Sequence, residues 1–147
     1  MARMTRAQRE WRPGQRKPRR SVRTMFASSV LVMEAFIAFF ATLAAYGLLG
    51  REGGDGLRSA ILAGGAVLFL LLLLAPAVLG RRWGYGVGWA LQVLFVATGF
   101  VVSAMFVLGG LSALAWWYAV RTGARLDREN AQRDAEQEQW EREHPDG

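Results

Sequence analysis

Residues 83–120 read WGYGVGWALQVLFVATGFVVSAMFVLGGLSALAWWYAV, 38 residues without a charge. As a single helix rising 1.5 Å per residue this run would be about 57 Å long. The hydrocarbon core of a bilayer is about 30 Å thick. The run is therefore two spans folded back on each other. Gly99 and Ser103, in GFVVS (99–103), mark the turn. This predicts a third span over roughly 83–100 and a fourth over 104–120, with the turn close to the interface.

The same reading extends outward. Arg81-Arg82 forms a short loop before the third span. Residues 59–80 carry no charge and include LFLLLLLAPAVL, which predicts the second span, with Pro76 placed to kink its end. REGGDGLR (51–58), with three Gly and four charges, reads as a turn. Between Arg23 and Arg51 stand 27 residues with one charge, Glu34, which predicts the first span over about 25–49. The resulting fold class is an all-α membrane protein: a four-helix transmembrane bundle with polar cytoplasmic tails, the C-terminal one helical. The domains are a basic, disordered N-terminal tail (1–24), the four-span unit (25–120), and a charged C-terminal helix and tail (121–147).

Whole-chain averages hide this division. The 147 residues are 52% hydrophobic and 20% charged with a net charge of +6. Yet residues 25–120 hold only seven charges, far fewer than a soluble domain, in which about a quarter of residues are charged. Residues 1–24 carry nine Lys/Arg and one acid; residues 121–147 carry five Arg and eight acids. Pairs such as Arg125/Glu129 at i,i+4 support a solvated helix there. The basic tail holds a lone aromatic, Trp11, so nucleic acid is not an expected partner. Anionic lipid headgroups are, at about 1 kcal/mol per basic residue near the surface.

Lys/Arg near span ends favour the cytoplasm. With both termini inside, four spans place sixteen Lys/Arg on the cytoplasmic side and two, Arg51 and Arg58, outside. The expected location is the plasma membrane, crossed four times. Trp83, Tyr85, Trp116, Trp117 and Tyr118 fall at the inner interface, where aromatic belts sit.

Zero Cys removes thiolate chemistry, and a lone His144 in a polar tail removes His-based triads and metal centres. No cofactor, metal site or catalytic residue is expected, and the chain is read as a non-enzyme. One ionisable group enters the membrane. Glu34 lies 11 residues past Arg23, about 16 Å deep. Gln92 lies ten residues past Arg82, and Ser112 nine before Arg121. Three polar side chains on three spans thus reach one level. Each stands on the small-residue side of its helix: with Ala38, Ala41 and Ala45 on span one, Gly84, Gly88 and Gly99 on span three, Gly109, Ala115 and Ala119 on span four. Gly84-x-x-x-Gly88 is a spacing that lets helices approach closely.

Three roles for Glu34 follow. A carboxyl buried without a cation takes up a proton rather than staying charged; hydrogen-bonded to Gln92, it would hold the bundle together. It could instead bind a proton or cation in a transport path, or lie at an oligomer interface. The function reading is a non-enzymatic assembly, scaffold or envelope protein. The alternative is a small proton- or cation-coupled transporter or transporter subunit using Glu34, which would act as a homodimer or with another membrane partner.

The segments RSVR (20–23), LVMEAF (31–36), GRRWGYGVGWALQ (80–92), GFVVSAMFVLG (99–109) and WWYAVRTGARLDRE (116–129) carry a resemblance. In order and spacing the chain resembles the small four-span actinobacterial membrane proteins known as a domain of unknown function of the DUF4233 type, over roughly residues 19–130. The resemblance implies an integral membrane protein and no catalytic residues.

Overall fold

The structure is a computed structural model and describes residues 20–145. The segment expected as a basic tail lies outside it up to residue 19. The described residues are almost entirely helical. Helix α1 is Val22–Leu49, α2 is Gly54–Leu74, α3 is Gly84–Ala97 and α4 is Ala104–Glu143. Short 3₁₀ turns, Ala75–Val78 and Thr98–Phe100, follow α2 and α3.

The exterior is apolar. Met33, Phe36, Phe40, Leu48, Val67, Leu74, Val93, Val107 and Leu114 are exposed. In water such a surface would aggregate; in lipid it is the ordinary outer face of a bundle. α1, α2 (with its 3₁₀ extension) and α4 are long and apolar enough to cross a membrane, while Gly84–Phe100 is a shorter apolar element. At about 1.5 Å per α-helical and 2.0 Å per 3₁₀ residue, it measures about 27 Å, a few ångströms short of the core.

Helix directions follow from the pairs in contact. Arg23 meets Gly123 and Glu34 meets Ser112, so α1 and α4 are antiparallel. Tyr85 meets Thr24 and Gln92 meets Glu34, so α3 runs parallel to α1. α2 returns along α1, where Gly65 receives Thr42 and Arg58 Nε donates to the Gly50 carbonyl at 2.7 Å. α2 packs mainly on α1 and touches α3 lightly. The bundle is up-down-up-down, and the start of α1 lies at the same end as the middle of α4.

The observed boundaries differ from the sequence expectation in two places. α1 begins at Val22, three residues before position 25, because Ser21 caps it: the Ser21 side chain accepts from Thr24 N. The turn expected over 51–58 is shorter, since α2 already begins at Gly54. That residue has φ +68°, a left-handed conformation that glycine adopts freely, which reverses the chain within a few residues. Asp55 then stands in the first turn of α2, where a negative charge favours the helix dipole. The continuation of span four into a solvated helix, expected from the charged pairs beyond Arg121, is observed. α4 runs unbroken for 40 residues, about 60 Å, so span and C-terminal helix are one element.

Small residues set the packing distances. The Trp116 ring lies over Gly88, and Val96 lies against Gly109. A Cβ at Gly88 would run into the indole ring, whereas one at Gly110 would meet nothing within 4 Å. Gly88→Ala should therefore destabilise the bundle by about 1–3 kcal/mol. Gly110→Ala should be neutral or stabilise it by up to about 1 kcal/mol through helix propensity. Thermal unfolding of the two variants in detergent checks both; equal melting temperatures would show that the α3–α4 contact is not tight.

Candidate functional site

The three polar residues at equal depth do meet. Glu34 on α1 is fully buried, as are Gln92 on α3 and Ser112 on α4 to within a few per cent. Gln92 Nε2 donates to Glu34 Oε1 at 2.5 Å, and Ser112 Oγ donates to the same oxygen at 2.5 Å. One carboxyl oxygen thus joins three helices. The surroundings are apolar: Leu31 and Ala35 on α1, Leu91 and Phe95 on α3, and Trp116 on α4 are buried around it.

The other ends of the same groups lack partners among the described residues. Glu34 Oε2 and Gln92 Oε1 are buried without a hydrogen bond, as is Trp116 Nε1. Two bare acceptors on two groups already joined on their other arm fit a neutral acid. A proton on Oε2 removes the charge and turns one of the bare acceptors into a donor. An ionised carboxylate would leave both oxygens as acceptors in a medium where an unpaired charge is far costlier than an unpaired dipole.

The glycines expected to pack are all buried. Gly84 sits against the Val78 carbonyl, Gly88 under Trp116, Gly99 against the Phe106 ring and Gly109 against Val96. The five aromatics assigned to the interface divide. Trp83, Trp117 and Tyr118 are exposed. Tyr85 is half-buried, with the Arg23 guanidinium 3.7 Å from its ring centroid and Thr24 Oγ1 3.2 Å from its hydroxyl. Trp116 is a correction: it is fully buried inside the bundle, because the bare face of Gly88 makes room for its indole.

A second polar site went unread in the sequence. Asp127 on α4 holds the start of α1. Its Oδ2 accepts from Ser21 Oγ at 2.5 Å and from Arg23 N at 3.3 Å, and its Oδ1 accepts from Val22 N at 2.7 Å. Helix starts have unsatisfied N–H groups; here a carboxylate from another helix supplies part of the cap. Gly123, one turn earlier, lets the Arg23 backbone approach. Partial burial pushes the Asp127 carboxyl up. The Ser21 hydroxyl, the Val22 and Arg23 amides and the Arg23 charge outweigh that and hold it below its usual range.

Two hollows lie beside the bundle. One, of about 640 Å³, is lined by Ala38, Thr42, Ala45, Gly64, Leu68 and Met105 among others. The other runs along the start of α1 from Arg20 to Phe36. Neither is lined by Glu34, Gln92 or Ser112.

The family described as "Protein of unknown function (DUF4233)" matches residues 23–132, about three-quarters of the chain. The chain belongs to this family. The match covers the Glu34 cluster and Asp127, and begins two residues after Ser21, the first donor of the clamp. No curated protein and no solved structure matches the chain.

Two outcomes follow from these sites. Glu34→Gln keeps an acceptor for both donors, so it should unfold within about 1 kcal/mol of the parent. Glu34→Leu strands Gln92 and Ser112 and should cost about 1–3 kcal/mol. Reversible unfolding in mixed micelles separates them; equal stability of both variants would remove the node. Asp127 has a lowered pKa in the fold, so its contribution is complete above about pH 4, the unfolded value. It is lost as pH falls through the folded value. Hydrogen exchange at Val22 and Arg23 should accelerate beyond its intrinsic pH trend in that acid window. In Asp127→Ala it should be fast throughout, and protection indifferent to the substitution would contradict the clamp.

Proposed function

We propose that this protein is a non-enzymatic membrane platform: the bundle anchors it, and α4 carries a charged helix out of the bilayer toward the cytoplasm for assembly or scaffolding. The observation that carries this reading is α4 itself. It is one helix from the turn at Ser103 to Glu143, and its residues beyond Arg133 are almost all exposed. A rigid exit from the membrane has a use when the projecting segment must be held at a fixed place and angle. The clamp at Asp127 holds it there, tying the exit of α4 to the start of α1.

Orientation is part of the proposal. The Ser21–Asp127 contact requires both elements to leave at one end of the bundle, which supports an even number of crossings. The sixteen-to-two division of Lys/Arg then points that end to the cytoplasm. The proposed site of action is the plasma membrane.

A second reading keeps Glu34 as a proton- or cation-binding group of a small transporter. Its support is the partnerless Oε2 inside the membrane. Against it, the carboxyl is enclosed by three helices, tied to two donors and lines neither hollow.

One test checks the orientation and a second separates the readings. Because the chain has no Cys, Glu52→Cys and Ala135→Cys report the two ends of the bundle. In intact cells, a membrane-impermeant thiol reagent should label position 52 and not 135; the reverse labelling would invert the protein. In a deletion strain, a chain truncated after residue 130 should insert normally and fail to restore function, while Glu34→Gln restores it. Transport predicts the opposite pair of results, together with proton or cation flux in liposomes that Glu34→Gln abolishes.

A further inference from the structure

The seam that packs α4 onto its neighbours continues beyond the membrane domain. Its buried positions are Met105, Gly109, Ser112, Trp116, Ala119 and Gly123, spaced alternately by four and three. The next residue on that face is Asp127, which holds the start of α1. Asp134, Glu138 and Glu141 lie 7, 11 and 14 residues further along. At 3.6 residues per turn these four acids fall within about 60° of one another. The face that meets α1 inside the bilayer thus becomes an acidic stripe outside it. Over residues 134–143 the helix carries five acids and one Arg.

The chain that leads into this seam has the opposite charge. Residues 1–19 carry seven Lys/Arg and one Glu, and they join the bundle at Arg20 and Ser21, in hydrogen-bond contact with Asp127. We propose that the basic N-terminal segment docks along the acidic stripe of α4, extending the α1–α4 interface beyond the membrane. The stripe from Asp127 to Glu141 is about 21 Å long. A segment of this length, even well short of full extension at about 3.3 Å per residue, covers it. Exposed ion pairs contribute only about 0.2–1 kcal/mol each and are screened by salt. Tethering at Ser21 offsets that weakness, because a short linker gives an effective concentration in the millimolar range.

Docking makes the projecting helix a covered surface. An anionic membrane competes for the same basic segment, so the charge of the surrounding lipid decides whether that segment lies on the stripe. The inference shares α4 with the platform reading and deepens it by naming what first occupies that helix. It requires no outside partner, so the two can fail separately.

The test uses the full chain with Ala7→Cys and Ala135→Cys, both spin-labelled, in phosphatidylcholine nanodiscs. At low salt a short inter-label distance is expected. Adding salt, or Asp134→Lys with Glu138→Lys and Glu141→Lys, should abolish the short-distance population. Adding Arg6→Glu, Arg9→Glu and Arg12→Glu to the triple-Lys chain should restore it, which also shows that the reversed helix still folds. An identical distribution in parent and triple-Lys chains overturns the proposal. So does a parent chain whose position-7 label is embedded in neutral lipid with no short population; the occupant of the basic segment would then be the membrane. Neither result alters the outcome of truncation after residue 130, which tests the platform by itself.

Discussion

In a bilayer, helices gain nothing by hiding apolar surface from one another, because the lipid is as apolar as they are. Something else must hold them in register. Here that constraint is one carboxyl oxygen, Glu34 Oε1, which accepts from Gln92 on α3 and Ser112 on α4. It fixes the depth of three helices relative to each other. The small-residue contacts then follow in register: Trp116 settles over Gly88 and Val96 over Gly109. A shift of one helical turn would move Gln92 or Ser112 out of reach and drive a side chain into each of these bare surfaces.

The Asp127 clamp acts at the aqueous end of the same seam. It joins the first turn of α1 to α4 more than a hundred residues later in the chain. With the Glu34 node deep in the bundle and the clamp at its end, α1 and α4 are held at two levels, and the rest of α4 projects from a fixed base. α2 is different. It has only two buried residues, Leu68 and Leu72, and depends mainly on α1 for its packing. α1 is therefore the centre of the bundle, packed along α2 on one side and along α4 on the other.

Much of this was legible in the sequence. The spans are visible because lipid excludes charge, so the gaps between charged residues bound them. The Glu34 cluster is visible because helical rise is constant, and counting from Arg23, Arg82 and Arg121 brings three polar residues to one depth. What was not legible depends on which side of a helix meets which neighbour. Trp116 resembles Trp117 and Tyr118 in a run of aromatics; only the bare face of Gly88 on another helix explains its burial. Asp127 resembles any acid in a charged helix until α1 is placed beside it. The early start of α1 has the same origin, since Ser21 is a good cap whose carboxylate partner is distant in sequence. The REGGDGLR turn is shorter than its composition suggests because Gly54 reverses the chain so tightly that Asp55 to Arg58 can join α2.

Glu34 and Gln92 act as one structural unit. A double-mutant cycle with Glu34→Leu, Gln92→Leu and both together, followed by reversible unfolding in micelles, measures their coupling most directly. The double variant should be less destabilised than the sum of the single changes, with a coupling of about 1 kcal/mol, since removing either partner already strands the other. Additive losses, with no coupling between the two positions, would contradict such a unit.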